Sequence, residues 1–275
     1  MSAAIPTVRA RLGLQWRTDG ARLAVGRETP REEAVGLSFN GRPHTVLMAT
    51  PDDLRDLAIG FTVTEGVAAF GEIEAVTLET TDQGHLVDIV LAPSARARRA
   101  RPRTLEGRSS CGLCGVQRLA DAVRPTPPVV SAQRFSPQAV QRALAGLEDR
   151  QPLGRLTRAT HAAALASPDG EVLLVREDVG RHNALDKLAG GALSLGLDPA
   201  RAFVVVTSRC SFEMVEKTAR LGSPMIVAVS APTDLAIARA DAAGVTLVAL
   251  ARADGHTVFS HADRLGLAQP ALQDA

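Results

Sequence analysis

FVVVTSRCSFEMVEKTARLGSPMIVAVSAPTDLAIARADAAGVTLVAL, residues 203–250, is the stretch that decides the fold. Three short apolar runs, Phe203–Val206, Pro224–Val229 and Val245–Leu250, are separated by two segments of helical periodicity. Ser211 and Thr233 stand where helix N-caps belong, and Gly222 and Gly244 stand where helices stop. A strand that is apolar at every position is buried on both faces. The run therefore predicts a parallel sheet covered by helices on each side. Upstream, Val172–Arg176 and a helical pattern over 183–195 add a fourth strand and another helix to the alternation.

Further out, Ser136-Pro137 opens an amphipathic helix running to Leu147, and Pro125, Pro127 and Pro128 mark a linker. The first third has a different character. Val35–Phe39 and His44–Met48 flank Asn40-Gly41, a strong hairpin signal. Thr50 is placed to cap a helix with Pro51 at its first position, and Leu54, Leu57, Ala58 and Phe61 form one apolar face. Strands at Ile73–Glu79 and Leu86–Leu91 complete a compact α+β unit, β-grasp-like in its order of elements. The expected class is α/β, with a three-layer C-terminal domain over residues 125–275. The smaller α+β domain covers residues 1–124 and ends in an arginine-rich loop.

Composition narrows the functional classes. The 275 residues carry 31 basic and 30 acidic side chains, so no globally basic nucleic-acid binder is indicated. One Trp and no Tyr leave little for stacking on bases. Met1–Leu12 lacks the apolar core of a signal peptide, and no apolar run reaches bilayer length. Three cysteines, two of them close together, are not a disulfide scaffold. The expectation is a soluble protein of a reducing compartment, without nucleic-acid or membrane partners.

Ligands of open α/β sheets bind outside the carboxyl ends of the strands. Here those ends hold Glu177, Asp178, Gly180, Arg181, His182 and Asn183, then Thr207, Ser208 and Arg209, then Ser230, Pro232 and Thr233, and finally Arg252, Asp254 and Gly255. Arg181 and Arg209 offer forked donors suited to phosphate, and helix N-termini near Asn183, Ser211 and Thr233 add N–H groups. Neither GxGxxG nor a Walker A run is present. Any single one of these polar residues reads equally well as a cap or turn former. His161, opening the apolar run Ala162–Ala166, reads first as a structural residue.

The chemical centre is Ser110-Cys111-Gly112-Leu113-Cys114-Gly115, preceded by Arg96, Arg98, Arg99, Arg101, Arg103 and Arg108. A thiolate is favoured beside cations or at a helix N-terminus, and a helix is expected over 115–123. The flanking glycines leave both sulfurs reachable. Sulfur transfer, zinc binding and dithiol exchange all remain open at this point. Zinc needs two further ligands, and no second cysteine pair exists, so Cys210 with His182 or His161 would have to complete the site. A thioredoxin-like motif follows a strand, whereas an arginine-rich loop leads in here.

Ser109–Gly115, the run Glu177-Asp178-Val179-Gly180-Arg181-His182-Asn183-Ala184-Leu185-Asp186-Lys187, and Ser211–Val215 together resemble the signature segments of the FdhD/NarQ family. Asn40–Pro43, Leu57–Phe61 with Thr64–Gly66, and Ser230–Thr233 fit as well. The segments before His161 and Arg209 lack glycines that are usual there. The resemblance implies a cytoplasmic sulfurtransferase and homodimer with a cytidine deaminase-like C-terminal domain. It would take sulfur from a cysteine desulfurase as a persulfide and pass it to the molybdenum cofactor of formate dehydrogenase. Catalysis would fall to Cys111 as carrier and to Cys114. The implied ligand is bis(molybdopterin guanine dinucleotide), which the resemblance places at Leu250, Ala251, Arg252, Ala253, Asp254 and Gly255, while the strand-end reading adds Arg181, His182 and Arg209. No resident metal is implied. An alternative is a cofactor-binding chaperone that donates no sulfur.

Overall fold

The structure, a computed structural model, describes residues 7–96 and 126–268. Cys111, Cys114, the arginine-rich run beyond Arg96, the helix expected over 115–123 and the 124/125 boundary lie outside the described residues.

The chain opens with β1 (Val8–Trp16) and β2 (Arg22–Pro30), an antiparallel hairpin that the periodicity did not announce. β3 (Glu33–Phe39) and β4 (Arg42–Ala49) follow, joined through Asn40 and Gly41 at φ 52 and 73. Two consecutive left-handed residues are what a tight two-residue hairpin turn requires. After α1 (Leu54–Thr64) come β5 (Ile73–Thr81), β6 (Gly84–Leu91) and the short α2 (Pro93–Arg96). The sheet order is β4-β3-β6-β5, with β3 and β6 parallel at the centre. Leu54, Leu57, Ala58 and Phe61 on α1 pack with Val35, Leu37, Val87 and Ile89 in one core.

Thr50 does not cap α1. Asp53 holds that position in a left-handed conformation without a side-chain cap. Thr50 is fully buried. Its N–H donates to Asp178 at 3.0 Å, and its hydroxyl accepts from the Val179 N–H at 3.2 Å. A buried tertiary hydrogen bond outweighs a solvent-side cap, and no local signal reveals that the partner lies far along the chain.

The second half supplies α3 (Pro137–Glu148), α4 (Pro152–Thr157), β7 (His161–Ala166), β8 (Val172–Asp178), α5 (Arg181–Ser194), β9 (Phe203–Val206), α6 (Phe212–Leu221), β10 (Met225–Ala228), α7 (Asp234–Ala243), β11 (Thr246–Arg252) and β12 (Gly255–Val258). Ser136 caps α3 as read, accepting from the Ala139 N–H at 3.0 Å. The six strands run in the order β12-β11-β10-β9-β7-β8. Here the expectation of an all-parallel sheet is corrected. Only β9, β10 and β11 are mutually parallel; β7 lies between β8 and β9, antiparallel to both, and β12 pairs antiparallel with β11. An alanine-rich strand such as β7 carries little β-propensity, so the tertiary slot between two neighbours decides it. Two reversals restore direction. The carboxyl ends of β8–β11 and the amino end of β7 therefore share one rim.

The sheet is buried on both faces, giving three layers. Val204 and Val206 join a core with α5, α6 and α7, while Phe203 and Val205 join a core with α3. Each such side chain contributes about 1.5–3 kcal/mol by leaving water. This is why β9 is apolar at every position.

The four-stranded unit is clamped to the larger sheet through α1 and α5. A Cβ on Gly60 would stand 1.7 Å from the Asp186 carbonyl oxygen, and one on Gly190 would stand 1.9 Å from that of Asp56. Only glycine permits this approach. Beside the crossing, the buried Lys217 Nζ of α6 lies 2.8 Å from both Asp186 and Glu65 and 3.1 Å from the Thr64 hydroxyl. Burial by itself lowers the ammonium pKa, but the two carboxylates outweigh it and hold Lys217 above its ordinary value. Among the described residues no helix is long and apolar enough to cross a membrane.

Candidate functional site

At the middle of the rim β7 begins and β9 ends. His161 pairs in register with Asp178 of β8, and Ala162 donates its N–H to the Thr207 hydroxyl at 2.9 Å. Arg181 opens α5 after Gly180, and Arg209 follows β9 in the loop to α6. The arginines and His161 share one neighbourhood. Burial lowers the pKa of His161, Arg181 and then Arg209 lower it further, Asp178 opposes, and His182 adds a smaller downward push. The result is a neutral imidazole beside two permanent cations.

His182 completes the group, its Nε2 lying 3.2 Å from the Glu213 carboxylate in the first turn of α6. Ser211 stands at the N-cap of α6, yet its side chain makes no cap bond. Its hydroxyl is buried and lacks a hydrogen-bond partner among the described residues. Gly180 likewise offers α5 no side-chain cap. Two helices thus present N-terminal N–H groups where cations gather, which is the donor set of an anion site.

Other rim residues are structural. Asp178 and Lys187 are fully buried and 2.7 Å apart; Asp178 also accepts from Gly180 N–H at 2.7 Å and Asn183 Nδ2 at 3.1 Å. Glu177 accepts from the N–H groups of Leu153 and Gly154, at 2.9 and 2.7 Å, and so caps α4. Thr233 caps α7 through the Ala236 N–H at 3.2 Å. Cys210 is fully buried in the core, and desolvation pushes its thiol up to about 12. Its sulfur lies among apolar core side chains, and among the described residues no group of three His, Cys, Asp or Glu is placed to hold a metal ion.

The Leu250–Gly255 stretch reaches the same rim two strands away from β9. It forms the bulged end of β11 and the turn into β12. Leu250 adopts φ 53, its N–H donates to Ser230 O at 3.2 Å, and its side chain is exposed. Ala251 is buried instead, while Arg252, Ala253 and Asp254 are exposed. β10 intervenes between β11 and β9, so two strand spacings, roughly 10 Å, separate this hairpin from Arg209. Arg181, His182 and Arg209 thus gather about His161, and the hairpin follows two strands further along the same rim. Sequence reasoning took His161 first as a structural residue. Its one signal was its place as the first residue of an apolar run, which on this sheet is a rim position.

A model of the FdhD/NarQ family matches residues 30–266. Among curated relatives, the sulfur carrier protein FdhD of Agrobacterium fabrum is 46% identical over 242 residues, 87% of this chain and 89% of that protein. The protein of the same name from Cupriavidus necator is 45% identical over 86% of this chain and 83% of its own length. In fold, the chain is similar to the crystal structure of a Desulfotalea psychrophila protein described as a formate dehydrogenase accessory protein. That match has a TM-score of 0.75 at 24% identity and covers 94% of this chain and all of the other. Matched from the first strand of the four-stranded sheet to the end of the six-stranded one, the chain belongs to the FdhD/NarQ family.

Proposed function

We propose that this protein is a sulfurtransferase of the cytoplasm that serves formate dehydrogenase. It accepts sulfur from a cysteine desulfurase as a persulfide on Cys111 and delivers it to a molybdenum cofactor. The observation that carries the reading is 46% identity over 87% of the chain to a protein named as a sulfur carrier. The Cys111/Cys114 pair behind an arginine-rich segment supports it. So does the fold, whose parallel β3–β6 pair and three-layer sheet are compatible with β-grasp-like and cytidine deaminase-like descriptions.

The Cys111 thiolate attacks the terminal sulfur of the donor's persulfide. The donor's S–S bond breaks, and its own thiolate departs. Cys114 then attacks Cys111 Sγ, so the terminal sulfur leaves toward the cargo as hydrosulfide and a disulfide remains. A cellular thiol returns that disulfide to the dithiol. The cargo, bis(molybdopterin guanine dinucleotide), is a substrate with pyrophosphate arms. Arg181, Arg209, the neutral His161 and the α6 N-terminus, whose Ser211 hydroxyl has no hydrogen-bond partner among the described residues, are the donor chemistry such arms need. The exposed Arg252 in the β11–β12 hairpin offers a further cation on the same rim.

Incubation with a desulfurase and cysteine, followed by mass spectrometry, tests the reading. One added sulfur on Cys111, absent from Cys111→Ala, is expected. No sulfur on either cysteine would overturn it. A second reading, a cofactor chaperone, draws on the same cationic rim, which needs no thiol to bind phosphate. Full formate dehydrogenase activity with a Cys111→Ala, Cys114→Ala double variant would favour that reading.

A further inference from the structure

Alternation gives the β1–β2 hairpin two unlike faces. Residues directly opposite one another across the pair share a face, and so do residues two apart on one strand. The register therefore groups Arg11 with Arg27 and Gln15 with Leu23 on one side, and sets Leu12, Leu14 and Trp16 on the other. β2 lies against α4. Val25 and Thr29, both partly covered, flank Arg27, so the arginine side is the one turned to α4. Arg11, Leu23 and Arg27 stay exposed there, as do Arg155 and Leu156 of α4 and Arg158 just past its end.

Two features of this surface work against the chain by itself. Arg11 and Arg27 stand directly opposite each other across the strands, a like-charge pair that weakens a hairpin. Arg158 closes α4 at φ 54, a left-handed conformation that is strained for arginine and free for glycine. Nothing inside the chain offsets either cost. Among the described residues no ion pair or hydrogen bond holds the side chains of Arg11, Arg27, Arg155 or Arg158. An anionic partner would relieve the first directly. It would also give the second a reason, since glycine at 158 would forfeit a cation.

The band leads to the cargo site. Arg158 stands three residues before His161, and three residues cover at most about 10 Å of chain. Cations therefore continue from the hairpin across α4 to the rim that holds Arg181 and Arg209. Leu23 and Leu156, exposed by 45% and 59%, are interleaved with them. Arginine mixed with apolar side chains suits a protein partner, whereas bases need aromatic platforms that this surface lacks. A surface continuous with the rim is placed for the protein that takes the cargo away.

We propose that this band, Arg11, Leu23 and Arg27 of the hairpin with Arg155, Leu156 and Arg158 at α4, docks an acidic face of the formate dehydrogenase that receives the cargo. The partner's identity rests on the sulfur-carrier reading; its charge rests on the four uncompensated arginines.

Binding of the full-length protein to cofactor-free formate dehydrogenase, measured on an optical biosensor, tests the proposal. Association is expected at low salt and should weaken steeply as salt is raised. Arg27→Glu and Arg155→Glu should each weaken it roughly 10-fold, mainly through slower association. Arg11→Glu should weaken binding to a similar degree yet raise the thermal midpoint, because it turns the like-charge pair with Arg27 into an attractive one. Arg158→Gly should also weaken binding with no loss of stability. Misfolding therefore does not explain the expected losses. Persulfide loading of Cys111 and guanosine diphosphate affinity should stay as in the parent for Arg11→Glu and Arg27→Glu. Full binding by these variants, binding indifferent to salt, or no binding by the parent at low salt would overturn the proposal. So would capture of the parent by anionic phospholipid vesicles or by RNA, with the same arginine dependence, in place of formate dehydrogenase. If persulfide loading fails in the parent while docking keeps its arginine dependence, the sulfur-carrier reading falls and the docking surface stands.

Discussion

At His161 burial, Arg181 and Arg209 all disfavour the imidazolium, and only Asp178 favours it appreciably. The sign of the consequence follows from linkage. An unfolded histidine titrates near 6.5, and the folded His161 does so lower. Between those two values the unfolded chain binds the extra proton, so its share of stability is complete above the ordinary imidazole value and is lost as pH falls through the window. His161→Asn is expected to flatten that part of a urea-midpoint profile against pH, leaving the contribution of His256, whose pKa burial also lowers. If phosphate groups bind at this rim, guanosine diphosphate should raise the His161 pKa, as read by NMR titration of the ring protons. An unmoved titration would place the phosphates elsewhere. None of this was legible in the residue itself, because a histidine at the start of an apolar run looks the same whether or not two arginines fold back beside it.

Among the elements, the α1–α5 crossing is the tightest constraint. Gly60→Ala and Gly190→Ala must each push a backbone carbonyl aside, and each is expected to cost more than about 3 kcal/mol in urea unfolding. Gly71→Ala, with nothing within 4 Å of its Cβ, should change stability little. The ends of α5 and α6 carry a separate prediction. Arg181→Ala and Arg209→Ala should each weaken guanosine diphosphate binding by about 1.5–3 kcal/mol, measured by calorimetry, while persulfide loading of Cys111 is unchanged. At this scale the sequence was readable wherever a signal is local. The Asn40-Gly41 turn, the Ser136 and Thr233 caps and the apolar strands β9–β11 all stand where the pattern put them. It failed at Thr50 and β7, where the deciding partners are Asp178 and the two flanking strands.

For the whole molecule, the Asp178–Lys187 pair is the pivot, since Lys187 also donates to Thr50 O at 2.9 Å and so ties the two sheets. Lys187→Met would leave Asp178 charged, buried and without its ammonium. A loss of about 3–5 kcal/mol is expected in urea unfolding. Because the clamp spans both sheets, unfolding of the parent should appear as one calorimetric transition whose calorimetric and van't Hoff enthalpies agree. By itself the sequence determined the α/β class, the alternation of the last hundred residues, the placement of polar residues at strand ends and the cysteine pair behind its arginines. Those are properties of periodicity, capping and spacing, which act over a few residues. Only the tertiary structure decided that β7 would run between β8 and β9, that Cys210 would be sealed in the core, and that His161 would join Arg181, His182 and Arg209 at the rim. It also left Leu12, Leu14 and Trp16 of the β1–β2 hairpin and Val46, Met48 and Leu86 of the four-stranded sheet exposed. These outcomes depend on burial and charge between residues far apart in the chain, and no local pattern encodes them.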